Sequence, residues 1–318
     1  PPGTSDRKPP MTAPTLTVPR SRAGFKAQQR RLNATAYGFI TPFMVFFITM
    51  LVVPILYALY LSLFQSQLIG GQTFVGFANY AQTFTDPKFY EGLGRIGLYL
   101  VIQVPIMLAL ALFFALVIDS GRLKGAKFVR LAIFAPYAIP GVISTLVWGY
   151  FYGSNFGLIS QLFHAVGLSA PDLLSQKNML GSMMNISTWE FVGYNMIIIY
   201  AALRSIPTEL FDAAEMDGAG QWRIAWSVKV PAVRSAIMLC VIFSVIGSFQ
   251  LFTEPSLLVT LAPTVIDTQY TPTYYAYNLA FTNHETNYAA AIAFSLGIFT
   301  AIVSYIVQLT VQRRAERA

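Results

Sequence analysis

The stretch whose reading decides the fold is "DAAEMDGAGQWRIAWSVKVP", Asp212 to Pro231. It holds three acids, two glycines and two tryptophans, and it stands between two long apolar runs. With the preceding "RSIPTELF" it reads as two short helices. Pro207 suits a first-turn position and Glu209 favours a helix N-terminus. Gly218 and Gly220 can supply the positive φ that ends one helix and turns the chain. Leu210, Ala213, Ala214 and Asp217 then share one face of the first helix, and Trp222, Ala225, Trp226 and Lys229 line up on the second. Pro231 closes the module. A face of alanines lets another protein's backbone approach closely. A helix lying on the membrane normally shows Lys and Arg to anionic lipid, whereas Glu209, Asp212, Glu215 and Asp217 would be repelled by it. The hairpin is therefore expected to meet a protein.

The rest of the chain sets the context. Of 318 residues, 55% are hydrophobic and 11% charged, against about 25% charged in an ordinary soluble domain. Charge this sparse cannot cover a globular surface, so most of the surface must face lipid. Six apolar stretches reach bilayer length, about 20 residues each: 36–64, 93–118, 129–152, 182–203, 235–254 and 288–311. The fourth is interrupted by Asn185, Glu190 and Asn195. The first is too long for a signal peptide and follows a polar leader. Pro54, Pro105 and Pro140 are expected to kink spans. The fold class is an all-α integral membrane protein with six transmembrane helices.

Residues 1–35 read as a disordered basic tail. Met11, followed by "TAPTLTVPR", is expected to be the natural start, with residues 1–10 a cloning remnant. All but Lys88, Arg95 and Lys177 of the 21 lysines and arginines fall in the two termini and the loops on one side. That asymmetry places both termini, and the opening stretch, in the cytoplasm. It also accounts for the net charge of +7 without nucleic acid as a partner.

Several chemistries are excluded. The single cysteine, Cys240, lies in an apolar run, so neither a disulfide framework nor a thiolate metal site is available. His164 and His284 stand apart in outer loops and make no metal site. No G-x-x-x-x-G-K-[ST] loop occurs, so the chain does not hold ATP by that device. No nucleophile–base pair is visible. The chain is expected not to be an enzyme and to have no catalytic residues.

Polar groups inside a bilayer are costly and default to functional candidates. Glu190 and Tyr194 lie one turn apart in the fourth span, with Asn195 beside them. Ser144, Trp148 and Tyr152 share a face of the third. The fifth ends in "GSFQLFTEP", offering Ser248, Gln250 and Glu254. Carboxylates and amides suit sugar hydroxyls, and aromatic faces suit the C–H side of a sugar ring. No Lys or Arg lies deep in any span, which disfavours an anionic substrate and favours a neutral di- or oligosaccharide. Competing readings are an aromatic belt for Trp148 and Tyr152 and interhelical hydrogen bonds for Asn185 and Asn195.

Asp212-Ala213-Ala214, then Asp217-Gly218-Ala219, Trp222 and Pro231, resembles the cytoplasmic EAA motif of binding-protein-dependent ABC importer permeases. The chain departs from the motif at Asp212, where Glu is usual, and at Ala225, where an aromatic is usual and Trp226 follows one place later. "TPFMVFFITMLVVPILYALYLSLF" (41–64), "FVGFANY" (74–80), "IGSFQLF" (246–252) and "YAYNLAFTNHETNYAAAIAFSLGIF" (275–299) are similar to the maltose and glycerol-phosphate branch, and FVGFANY to its maltose-F-like subunit. In many relatives the loop before the last span carries Gly-Gly-Pro; here it reads "VTLAPTVIDTQYTPTYY".

The resemblance implies a type I importer transmembrane domain over 36–312, a coupling hairpin over 207–231 and a cytoplasmic tail over 313–318. It implies a second permease subunit, two copies of a cytoplasmic ABC ATPase that carry ATP and magnesium, and an extracytoplasmic sugar-binding protein, in a bacterial or archaeal cytoplasmic membrane. The hairpin would dock in a cleft of the ATPase, with Asp212 and Asp217 as polar contacts and Gly218 as the turn. The alternative from another class is an ion-gradient-driven sugar transporter, which would need coupling carboxylates near the midplane and an internal repeat. Glu190 alone supplies little of that.

Overall fold

The computed structural model describes residues 22–67, 70–154 and 156–316. Residues 1–21, most of the expected tail, lie outside them. Within the described residues the chain divides after Tyr57 into two compact units.

The N-terminal run comprises α1 (Arg22–Phe47), a π turn (Ile48–Val52) and α2 (Val53–Ser62). Leu32–Ser62 is long and apolar enough to cross a membrane. Residues 22–35 are helical, which corrects the expected tail: Ala, Gln, Arg and Leu are good helix formers, and the segment continues into the apolar run without a stop signal. A small antiparallel hairpin follows, β1 (Phe64–Gln67) against β2 (Gly71–Phe74), with Phe64 opposite Phe74. The short helix α3 (Ala78–Thr83) closes it. Asn79 Nδ2 donates to the carbonyls of Ser62 and Phe64, each at 2.8 Å.

The second span is α4 (Pro87–Asp119), a 33-residue helix with Asp86 as its cap and Pro at its first position. The Asp86 side chain accepts from the Lys88 amide, as an N-cap should. The expected third span, 129–152, is not one helix. It comprises α5 (Ala126–Phe134), a 3-10 turn (Ala135–Ala138) and α6 (Gly141–Tyr152), bent by 98°. Pro136 and Pro140 lie in the break, where each removes a backbone donor. The break is also held from outside. A Cβ on Gly193 would collide with the carbonyl of Ile133, so only glycine lets α5 sit so close to the following long helix. The chain then passes through α7 (Leu158–Ala165) to that helix, α8 (Met179–Leu203), which packs along α4.

The hairpin follows as α9 (Glu209–Met216), α10 (Gln221–Ile224), a π turn (Ala225–Lys229) and α11 (Val230–Ala232). The fifth span is α12 (Arg234–Phe249) and α13 (Thr253–Leu258), interrupted at 250–252. α14 (Pro272–Phe281) leads to α15 (Thr286–Glu316). Residues 313–316, expected in the terminal tail, continue α15; 317–318 lie outside the described residues. Among the described residues five runs qualify as membrane spans by length and composition, and the bent pair makes a sixth if counted as one.

Two buried clusters run along the α4–α8 contact. One holds Tyr99, Met179, Met183, Ile186 and Leu258; the other holds Met107, Ala111, Ala115, Met196 and Ile199. Small residues on α4 let α8 approach, as in other membrane helix pairs. At the end of the bundle where α4 begins, Asp86 accepts from the hydroxyls of Tyr275 (2.9 Å) and Tyr288 (2.8 Å), tying α14 and α15 to the start of α4. Burial, then the Asp86 carboxylate, holds the Tyr275 phenol above its ordinary pKa. Arg95 Nη2 meets Asp267 Oδ2 at 3.4 Å, and the guanidinium lies 4.8 Å from the Tyr270 ring centroid, which fixes the loop before α14.

Candidate functional site

Two regions carry chemistry: a cavity among the spans and the hairpin between α8 and α12.

The cavity, about 290 Å³, is framed by α4, α6, α8 and the interrupted fifth span. Each frame element has a local reason for its polar face. α8 presents Glu190, Tyr194 and Asn195 where its own helix meets the α5–α6 elbow. Tyr194 stacks on Tyr137 of the elbow at 4.7 Å. The fifth span unwinds after Phe249, which turns Gln250 and Glu254 toward the same space. The carbonyls freed by this break are not orphaned. Thr273 Oγ1 donates to Phe249 O (2.9 Å) and Thr271 Oγ1 to Leu251 O (2.8 Å). Non-helical backbone at membrane depth is tolerated where such partners exist.

The cavity is rich in acceptors. Glu190 is 9% exposed, and no hydrogen bond or ion pair to its carboxylate occurs among the described residues. A Cβ on Gly141 would lie 3.4 Å from Glu190 Oε1, so the carboxylate rests against the N-terminus of α6, where the helix dipole favours negative charge. Asn195 donates through Nδ2 to Phe191 O at 3.0 Å, while its Oδ1 is buried with no partner. Glu254 Oε1 accepts from Ser187 Oγ at 2.7 Å. Among the described residues no Lys or Arg lines the cavity. A buried acceptor without a donor costs about 1–3 kcal/mol, more if charged, so these groups call for donors from water or from a bound molecule.

Of the residues named from sequence, Glu190, Tyr194, Asn195, Ser248, Gln250 and Glu254 line this cavity. Ser144, Trp148 and Tyr152 do not. Tyr152 donates to Ser182 O (3.1 Å) and accepts from Asn185 Nδ2 (2.8 Å), and Trp148 packs on Tyr152 and Trp189. Ser144 Oγ is buried and unpaired. Their shared face turns into the packing around α8 and α13. Sequence reasoning missed Tyr99 and Gln103 of α4, Thr145 of α6 and Ser187 of α8, all of which line the cavity. The lone Gln103 in the apolar run of α4 was the one available signal.

In the hairpin, Gly218 has φ +78° whereas Gly220 is extended at −70°, so one glycine makes the turn. The amides of Gly218 and Ala219 bond to Glu215 O and Ala214 O, each at 2.9 Å, in the manner of a helix C-cap. Asp212, Ala213 and Asp217 are exposed and Ala214 and Ala219 half-buried. Met216 is 88% and Trp222 76% exposed, and Trp222 packs edge-on to Trp226. The helix through the π turn runs past Pro231 to Ala232, so the stop falls one residue later than expected. Beneath this surface, Ile224 and Val233 are buried and Lys229 pairs with Asp119 at 2.6 Å. The arrangement is a rigid base under an uncovered face of acids, alanines and large apolar groups. Among the described residues no group of His, Cys, Asp and Glu could hold a metal ion.

A family model described as "Binding-protein-dependent transport system inner membrane component" matches residues 87–316. The chain is 31% identical over 277 residues to a probable ABC transporter permease, YurN, of Bacillus subtilis, covering 84% of this chain and 92% of that protein. It is 27% identical over 293 residues to the lactose transport system permease LacF of Rhizobium radiobacter, covering 90% and 96%. It is also 29% identical to the diacetylchitobiose uptake permease NgcF of Streptomyces coelicolor, over 74% and 71%. Among solved structures, a chain of a bacterial ABC transporter involved in import of the acidic polysaccharide alginate superposes with TM-score 0.76 at 19% identity, over 92% of this chain and 99% of that one. That last likeness concerns the fold.

Proposed function

Because the chain belongs to the family of binding-protein-dependent transport system inner membrane components, we propose that it forms half of the translocation path of an ATP-driven importer for a neutral di- or oligosaccharide. The observation that carries this reading is the cavity: a buried, unpartnered Glu190, an unpartnered Asn195 Oδ1 and Glu254, with no cation in the lining. Sugar hydroxyls are donors in excess, and they can satisfy these acceptors without bringing negative charge. The names of the lactose and diacetylchitobiose permeases support a carbohydrate cargo. An acidic cargo such as the alginate of the structural neighbour would face two carboxyl groups and no cation among the described lining residues. The family match and these relatives give the gradient-driven alternative no support.

The proposed mechanism joins the two regions. A sugar-binding protein outside delivers cargo, and the neighbour solved with its alginate-loaded periplasmic protein supports such a partner. A second permease completes the path. Two cytoplasmic ATPase subunits bind ATP and magnesium, and this chain holds neither. The hairpin docks through Asp212, Ala213, Ala214, Asp217 and Trp222, with Gly218 as the bend. Docking by protein is supported by exposed Met216 and Trp222 set among acids, a mixture unsuited to an anionic lipid surface. Closure of the ATPase dimer displaces the hairpin and re-opens the cavity to the other side. The Lys and Arg distribution supports cytoplasmic termini in a multi-pass protein of a bacterial or archaeal cytoplasmic membrane.

The test is uptake by the complete importer in proteoliposomes, with a panel of neutral oligosaccharides and matched uronate oligosaccharides supplied on their binding proteins. Neutral sugars should be carried and uronates refused. Uronate uptake with refusal of every neutral sugar would overturn the reading of the cavity.

A further inference from the structure

We infer that the Asp119–Lys229 ion pair is the joint that carries displacement of the hairpin into the second span. The inference rests on the reading of the hairpin as an ATPase dock and goes beyond it by naming where force leaves that dock.

Asp119 is the last residue of α4. An acid there opposes the negative end of the helix dipole, and its side chain is only 5% exposed. Nothing in α4 itself recommends a buried carboxylate at this position. Lys229 supplies the reason. Its Nζ lies 2.6 Å from Asp119 Oδ2, with its side chain 11% exposed. The same Nζ stands 4.9 Å over the ring of Phe211. Lys229 belongs to the second leg of the hairpin and Phe211 to the first, so one ammonium holds both legs and the end of α4 together.

The connection then runs straight to the cavity. Ile118, Ala115 and Ala111 are buried along α4, and Gln103 lines the cavity sixteen residues before Asp119, about 24 Å along a helix rising 1.5 Å per residue. α4 is a single helix over that distance with its one internal proline, Pro105, at the cavity end, so the packed stretch from there to Asp119 moves as a body. A buried pair is poor evidence of added stability, because desolvation offsets much of its attraction. It does fix one arrangement of two elements against slippage, and that is what a mechanical joint requires.

The experiment uses the complete importer in proteoliposomes and reads three quantities: ATPase retained on the permease, binding-protein-stimulated hydrolysis, and sugar moved per ATP. Lys229→Met and Asp119→Asn should retain the ATPase and hydrolyse ATP, yet move about tenfold less sugar per ATP, within the usual range of coupling between distant sites. The exchanged pair, Asp119→Lys with Lys229→Asp, should recover a large part of that ratio. Unchanged sugar per ATP in the single variants would overturn the joint. So would loss of the ATPase together with transport and no recovery in the exchanged pair, which would make the contact part of the scaffold alone. Gly218→Val separates the two levels. If it too retains the ATPase, the docking reading fails, whereas a failed joint with ATPase lost only on Gly218→Val leaves docking intact.

Discussion

Gly218 offers the cleanest perturbation of the hairpin. Its φ of +78° lies in the left-handed region, and a Cβ placed there meets nothing within 4 Å. Any cost of substitution is therefore backbone strain, with no steric clash to confuse it. For an ordinary side chain that strain is about 1–3 kcal/mol, and a β-branched side chain stands at the upper end. Taking ~2 kcal/mol for Gly218→Val, the population of the correctly bent hairpin falls by up to about 30-fold. Apparent affinity for a partner falls by the same fraction. Asn visits this region readily, so Gly218→Asn should lose only a few-fold. The assay is titration of purified ATPase subunit onto permease held in nanodiscs, with affinity ranked Gly, then Asn, then Val. Insertion and thermal midpoint should stay near wild type, because the turn buries nothing. Equal affinity across the three chains would refute the reasoning that the bend presents the docking face.

Other outcomes follow from the same structure. Glu190→Gln replaces an acceptor-only carboxyl group with an amide; a hydrogen bond to cargo is worth about 0.5–1.5 kcal/mol, so sugar uptake should fall several-fold while ATPase binding is unchanged, and unaltered uptake would remove Glu190 from the path. Gly193→Val drives a side chain into Ile133, so the elbow should shift and the thermal midpoint of the detergent-solubilised protein should drop, by about 1–3 kcal/mol in stability or more. Asp86→Ala removes the cap of α4 and two tyrosine bonds; the cap alone is worth about 1 kcal/mol, and a midpoint equal to wild type would contradict the role given to Asp86. The raised pKa of Tyr275 has an alkaline consequence. The phenol stays neutral in the folded chain while the unfolded one ionises, so its stabilisation is complete below about pH 10 and is lost as pH climbs beyond that. Tyr275→Phe should flatten that alkaline decline in a thermal-shift series.

The hairpin was readable because its constraints are local: Gly218 must take positive φ, Pro207 and Glu209 suit a helix start, and the acids argue against lipid. The spans were readable from apolar length. The break in the third span was half readable. Pro140 announces a kink, but the 98° bend also depends on Gly193, which belongs to another helix and meets Ile133 only in the folded chain. The cavity divides in the same way. Glu190, Tyr194 and Asn195 stand out as polar groups in an apolar span, and they line it. Trp148 and Tyr152 stand out equally, yet they face Ser182, Asn185 and Trp189. A helical face can be read from spacing, but its direction is set by neighbours. Thr271 and Thr273 escaped notice because their role, satisfying carbonyls freed at 249 and 251, exists only once the fifth span has unwound. The segment 22–35 reads as tail because its polar composition masks good helix formers.

The measurement closest to the centre of this account is the energy source of transport. The chain, its partner permease, the ATPase and a loaded binding protein are reconstituted in liposomes with no ion gradient, and sugar accumulation is followed on adding ATP. Accumulation should require both ATP and the binding protein and should be indifferent to ionophores. Accumulation without nucleotide, driven by an imposed ion gradient and abolished by ionophores, would contradict it.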